Sequence, residues 1–298
     1  MSAISIKKGS IQLSGLLYKP STTSKTPGIV VVHPGGGVKE QTAHLYAKKL
    51  SEAGLTTIAY DASYQGESEG EPHFLEDPAE RVSDVFAVVD YLESLDTVDP
   101  SQLGILGICA GGGYAVAAAK ADHRLKSVAA ISMVNIGDAT RLGWDGDEDA
   151  AKKVETLEHI AKQVQSENKT GNLGACPYVP PQLDDKTPLD LREAHDYYLG
   201  PRCQHPRAAN KMLFRSVPRV MTFDAFYLAD IYLTQPLLLI AGEKAGSIWH
   251  TDKLDKLVGG ATRKVIVPGC THMDLYDRLP FVDVATKEVV DFMKTYLK

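Results

Sequence analysis

Short β-branched runs alternate with helix-patterned stretches through the first 134 residues, and that alternation restricts the fold more than any other feature of the chain. Gly28-Ile-Val-Val-Val-His33 is an unbroken apolar run, as a strand buried on both faces requires. Ala43, Tyr46, Ala47, Leu50 and Ala53 then recur at helical spacing, with Gly54 where a C-terminal cap belongs. Residues 56–60 read as a second strand. Asp77-Pro78 reads as an N-cap and first helical residue, opening a helix that buries Val82, Val85, Phe86, Val89 and Leu92. A strand at 103–106, a small-residue helix at 111–120 and a strand at 127–134 follow. Such strand–helix–strand links predict a parallel sheet covered by helices on both faces.

The pattern stops at residue 135 and resumes with Pro236-Leu-Leu-Leu-Ile-Ala241, Lys264-Val-Ile-Val267 and a closing amphipathic helix after Pro280. The expected layout is therefore an α/β core made of 1–134 and 234–298, with 135–233 inserted as a cap. An insertion of that length overhangs the strand ends, where sheets of this kind bind ligands. The 298 residues suffice for one large core without disulfide or metal support. A net charge of −6 with both signs interspersed argues against nucleic acid or an anionic membrane as partner. No apolar run reaches the roughly 18 residues of a membrane span. Cys109, Cys176, Cys203 and Cys270 show no metal-ligand spacing, so free thiols, no metal and a cytoplasmic setting are expected. No phosphate loop or dinucleotide fingerprint appears, so no cofactor is implied.

Gly107-Ile-Cys109-Ala-Gly111 joins a strand directly to a helix. A turn that sharp needs small residues two places to either side of its centre, and it exposes the central side chain at the sheet edge. The helix N-terminus then points at the Cys109 thiol, an arrangement that favours thiolate, and the Ala110 N–H is free to bind an oxyanion.

With that elbow in place, the chain resembles the α/β-hydrolase superfamily along essentially its whole length. His33-Pro-Gly-Gly-Gly37 stands where that superfamily builds the other half of its oxyanion hole, which implies Gly35 N–H as first choice and Gly36 as second. Asp61-Ala-Ser-Tyr-Gln-Gly-Glu-Ser68 resembles the superfamily's D-x-x-G-x-G-x-S loop but has Tyr64 at the first glycine. Thr271-His-Met-Asp-Leu-Tyr276, read with the elbow, is similar to a cysteine branch that includes dienelactone-hydrolase-like proteins and, closer, the polyketide transferase family.

The resemblance implies His272 as general base, just beyond the last core strand. The superfamily's aspartate is absent from the turn after the seventh core strand, where Ala245 and Gly246 stand. Glu243 is the first alternative acid, Asp138 the second and a Cys–His dyad the third, while Asp274 reads as a turn cap. His33 is expected to prop the oxyanion loop, and the other histidines, His250 among them, read as surface or cap residues. Trp144, Tyr178, Tyr197, Tyr198, Phe214, Phe223, Phe226 and Tyr227 read as cap core or as the lining of an acyl tunnel.

The expected chemistry is acyl transfer or hydrolysis on a small-molecule ester or thioester, free or carrier-bound, through a Cys109 acyl-enzyme. A thioester donor suits a cysteine, because thiol-to-thiol exchange is nearly balanced in energy. An esterase or lactonase of the dienelactone-hydrolase type is the alternative. A non-catalytic binding protein on a hydrolase scaffold is a third reading, resting on the missing aspartate.

Overall fold

The structure is a computed structural model that describes residues 1–259 and 262–298. Its strands are β1 (Ser2–Lys8), β2 (Ile11–Tyr18), β3 (Thr26–Val32), β4 (Thr56–Tyr60), β5 (Val98–Ile108), β6 (Leu125–Ile131), β7 (Ala175–Cys176), β8 (Met212–Leu213), β9 (Leu237–Gly242) and β10 (Thr262–Val267). The order β1-β2-β4-β3-β5-β6-β9-β10 forms one sheet, and β7 pairs with β8 apart from it. From β4 to β10 every neighbouring pair in that sheet is parallel. At one edge β2 runs against the others, pairing antiparallel with both β1 and β4.

The reason is legible in the central strands. Ile29, Val30, Val31, Ile105 and Leu106 are fully buried, so both faces of the sheet need cover. Helices Pro78–Glu93 and Ala110–Ala121 pack one face with Val85, Val89, Tyr114 and Ala115. Helices Thr42–Glu52 and Leu279–Tyr296 pack the other with Tyr46, Leu50, Val289 and Phe292. Full burial of each such aliphatic side chain stabilises by roughly 1.5–3 kcal/mol. Asp77 caps its helix as expected, its carboxylate accepting from Ala79 N–H at 3.0 Å.

Between β6 and β9 lie helices Ile136–Leu142, Lys153–Thr170, Leu189–Leu199 and Ser216–Thr222, together with the β7–β8 pair. The six parallel strands β3, β4, β5, β6, β9 and β10 all end at one edge of the sheet, and the insertion meets loops there. Such an edge is the binding side of an open α/β sheet.

Candidate active site

Cys109 follows β5 with φ +55° and ψ −124°, a left-handed backbone that a non-glycine residue adopts at a cost of about 1–3 kcal/mol. The turn is held because both backbone groups of Cys109 are bonded. Cys109 O accepts from Gly112 N–H at 2.8 Å and Val134 N–H at 2.9 Å, and Cys109 N–H donates to Ile131 O at 3.0 Å. The flanking glycines are sterically required: a Cβ on Gly107 would lie 2.2 Å from Gly111 O, and one on Gly111 2.3 Å from Val32 O.

Two backbone N–H groups converge on the sulfur, those of Ala110 and Gly35. They are the groups named for the oxyanion hole. Gly36 has a different part: with φ +68° it turns the loop, and its open Cα face receives the Tyr178 ring, 2.6 Å from where a Cβ would stand. His33 props this loop from beneath. Its Nε2 accepts from Ala62 N–H at 3.1 Å, so Nδ1 carries the proton and donates to Pro34 O at 2.6 Å. Burial, then the adjacent Arg81 charge, hold His33 well below its ordinary pKa and hence neutral. Buried Arg81 donates to His33 O at 2.7 Å and lies 3.8 Å from buried Glu76, whose carboxylate accepts from Tyr114 OH at 2.6 Å and Tyr178 OH at 2.8 Å. Tyr178 therefore ties the insertion to the core where it rests on the glycine loop. Tyr64 supplies the missing glycine's geometry itself, at φ +69°.

His272 is buried beside this centre, its ring 5.1 Å from Trp144 in edge-on contact. Ser132 OH donates to its carbonyl at 3.0 Å, tying the loop after β10 to the end of β6. Nδ1 lies 2.6 Å from Ser247 Oγ, and Nε2 lies 3.3 Å from Tyr276 OH. The nearest acid is Asp190, at the start of helix Leu189–Leu199. Its Oδ1 accepts from His272 N–H at 3.3 Å, and its Oδ2 accepts from Gly246 N–H at 2.7 Å and Trp144 Nε1–H at 3.0 Å. Burial lowers the His272 pKa to about 4, and the Asp190 charge opposes that shift.

Both acids named from the sequence lie elsewhere. Glu243 is exposed, and its carboxylate accepts from Gly269 N–H at 2.7 Å. Asp138 is occupied by Arg141 at 2.8 Å, Lys253 at 2.7 Å and Asn135 at 3.0 Å. Asp274 does cap a turn, accepting from Thr271 N–H at 3.0 Å. Sequence reasoning misses Ser247 and Asp190: one stands a residue past the turn where the acid belongs, and the other comes from the insertion, 82 positions before His272. His250 is not a surface residue either. It is fully buried, stacked on Trp249 at 3.6 Å, with neither ring nitrogen hydrogen-bonded among the described residues.

The thiolate expected from the helix N-terminus does not hold at rest. Burial pushes the Cys109 thiol above its ordinary pKa, outweighing the opposing effects of Tyr276 OH and the Ala110 and Gly35 N–H groups. With His272 held low as well, burial favours thiol and neutral imidazole as the resting pair over an ion pair.

A cavity of about 310 Å³ opens above the sulfur, within the usual range for small ligands. Ile136, Trp144, Tyr178, Leu191, Tyr198 and Val220 from the insertion give it apolar walls, and no lysine or arginine lines it among the described residues. Of the other aromatics, Tyr197 and Phe226 are buried packing and Tyr227 is 68% exposed. A shallower surface groove of about 720 Å³ at residues 19–27 and 51–54 holds none of these reactive groups. Glu40, Asp61 and Glu67 come close enough to suit a cation, but Lys39 Nζ already sits at 2.7–2.8 Å from all three.

A parallel sheet, a cysteine at the strand–helix elbow, two N–H donors on its sulfur and a histidine after the last strand define an α/β-hydrolase. A model of the dienelactone hydrolase family matches residues 13–174, and the chain belongs to that family. It is 43% identical over 291 residues to the uncharacterized protein YcjY of Escherichia coli, covering 96% of this chain and 95% of that one. Over 295 residues it is 33% identical to the acyltransferase drtE of Aspergillus calidoustus, covering 95% and 90%. The crystal structure of the hypothetical protein PA2218 from Pseudomonas aeruginosa matches with a TM-score of 0.93 at 30% identity, over 99% of this chain and 93% of that one.

Proposed function

We propose that the protein carries acyl groups on Cys109, taking a neutral, apolar acyl chain from a thioester or ester and passing it to an alcohol or water. The observation that supports this most is the convergence on one sulfur of a strained elbow and two backbone N–H donors, with a histidine and a buried carboxylate behind it. Cys109 Sγ attacks the acyl carbonyl. The carbonyl oxygen, as it gains charge, takes over the N–H groups of Gly35 and Ala110. His272 accepts the thiol proton and later returns it to the leaving group. Because Nε2 must accept, Nδ1 carries the proton and donates to Ser247 Oγ. Asp190, without a cationic partner among the described residues, stabilises the imidazolium that forms. The apolar lining and the single carboxylate at the cavity wall disfavour an anionic acyl group, because its charge would be buried unpaired.

Transfer is favoured over hydrolysis by the cover that the insertion gives the sulfur and by the acyltransferase name of one relative. The modest cavity and the family match support a second reading, hydrolysis of a small ester or lactone. The test is intact mass after incubation with a panel of acyl thioesters and activated esters, alongside Cys109→Ala. An acyl-sized gain on the parent alone is expected, and the chain length that loads best identifies the substrate class. Loss of the adduct into water or onto an added alcohol separates the two readings. No adduct and no turnover with any donor overturns both in favour of a binding protein.

A further inference from the structure

Resting on the reading of Cys109 as nucleophile, we infer that Tyr276 is a catalytic residue, its hydroxyl relaying the proton between Cys109 Sγ and His272 Nε2. The phenol shares one cavity with the two groups that must exchange a proton. Its oxygen is 3.3 Å from Nε2, and its hydroxyl acts on the thiol, opposing the rise in the Cys109 pKa. Among the described residues the hydrogen-bond partner of Nε2 is this phenol. Catalytic hydrogen bonds of this length in an empty site commonly tighten once substrate is bound.

Local structure explains why the hydroxyl stays there. His272 lies in the turn that leads into the short helix Asp274–Asp277 and Tyr276 within it, and the two rings come to 5.5 Å of each other. The Tyr276 ring is wedged edge-on between Tyr197 at 5.2 Å and Tyr198 at 6.4 Å, both from helix Leu189–Leu199. Only 2% of Tyr276 is exposed. Burial, then the nearby Cys109, push its phenol well above the ordinary range, so it is no base of its own. A phenol so placed can accept one proton only while giving up another.

The step balances on that basis. As the sulfur–carbon bond forms, the carbonyl π pair moves to oxygen. The thiol proton passes to Tyr276 Oη while the phenolic proton passes to His272 Nε2. Tyr276 ends neutral, His272 ends as imidazolium, and the carbonyl oxygen carries the negative charge. When the tetrahedral adduct collapses, the bond to the leaving sulfur or oxygen breaks, and the imidazolium proton reaches that atom directly or back through the phenol.

The test measures alkylation of Cys109 by iodoacetamide at neutral pH, read on the peptide that contains it, in the parent, Tyr276→Phe, His272→Ala and the double variant. A relay makes the two losses non-additive: each single change slows alkylation about tenfold or more, and the double variant is no slower than the worse single one. If adding His272→Ala to Tyr276→Phe slows alkylation as much as adding it to the parent, the histidine reaches the thiol without the phenol and the relay is wrong. Should Tyr276→Phe fail to fold by circular dichroism, a fluorinated tyrosine at the same position keeps the shape and changes only the acidity. Its effect on the alkylation rate must then vanish when His272 is replaced by alanine, and an effect that survives overturns the relay. Acyl loading of the parent but not of Cys109→Ala tests the nucleophile separately, so failure of the relay and failure of the nucleophile are distinct results.

Discussion

The two sides of the proposed catalytic centre are built differently. The side of the proposed nucleophile is backbone: a strained elbow, two N–H groups and glycines whose Cα atoms touch neighbouring carbonyls or a ring. The base side is side chain: His272 after β10, Ser247 after β9, Asp190 from the insertion and Tyr276 from a single helical turn. The first is rigid because every displacement breaks main-chain bonds. The second holds only while the insertion is seated, since Asp190 and the tyrosines wedging Tyr276 all lie on helix Leu189–Leu199. A backbone-built half tolerates change around it, and a side-chain-built half is sensitive to each of its supports.

Removing the base gives the largest expected effect on that contrast. His272→Ala lowers kcat/KM for the best acyl donor by roughly 10²–10⁴-fold, yet binding of unreactive substrate analogue is kept, because the Gly35 and Ala110 donors remain. A loss that falls on binding alone breaks the division of labour.

Asp190→Asn comes next, at roughly 10–100-fold, the amide now meeting the Gly246, Trp144 and His272 N–H groups with one oxygen instead of two. The parent's activity is expected to rise with pH through about 4, where His272 becomes neutral, because the proposed base must be neutral. Asp190 raises that pKa, so its loss moves the acid limb of the pH–rate profile to lower pH. A limb that stays in place shows the charge acts on something else.

Ser247→Ala removes the Nδ1 partner and is expected to cost about tenfold in kcat with little change in KM, as a residue that orients the ring and touches no substrate does. An unchanged kcat leaves Asp190 as the whole support of the base.

The smallest effect concerns stability. His250 is buried neutral with a pKa of about 3, and His272 with one of about 4, against 6.5 for an exposed histidine. Both take up protons on unfolding, so the unfolded state binds more of them below pH 6.5. Stability therefore rises with pH across that window and falls as pH drops towards about 3. His250→Phe keeps the stack on Trp249 and removes one such group, moving the midpoint of acid unfolding down by roughly half a pH unit. An acid midpoint that does not move means His250 is hydrogen-bonded in solution.

The sequence by itself determined what depends on neighbours along the chain. The apolar runs gave the parallel core strands, Asp77-Pro78 gave a helix start, and Gly107-Ile-Cys109-Ala-Gly111 gave the elbow, because steric exclusion within a five-residue turn is written in those five residues. The glycine loop after β3 was legible for the same reason, and so was the insertion's interruption of the strand pattern. Only the tertiary structure decided who partners His272. Glu243 is near in sequence but turned out to solvent, while Ser247 reaches the ring and Asp190 the backbone N–H of His272, because β9 ends beside β10 and helix Leu189–Leu199 closes over both. The protonation of the centre was equally out of reach. A helix N-terminus favours thiolate, but burial beneath a 310 Å³ apolar cavity outweighs it, and burial is a property of the whole packed chain.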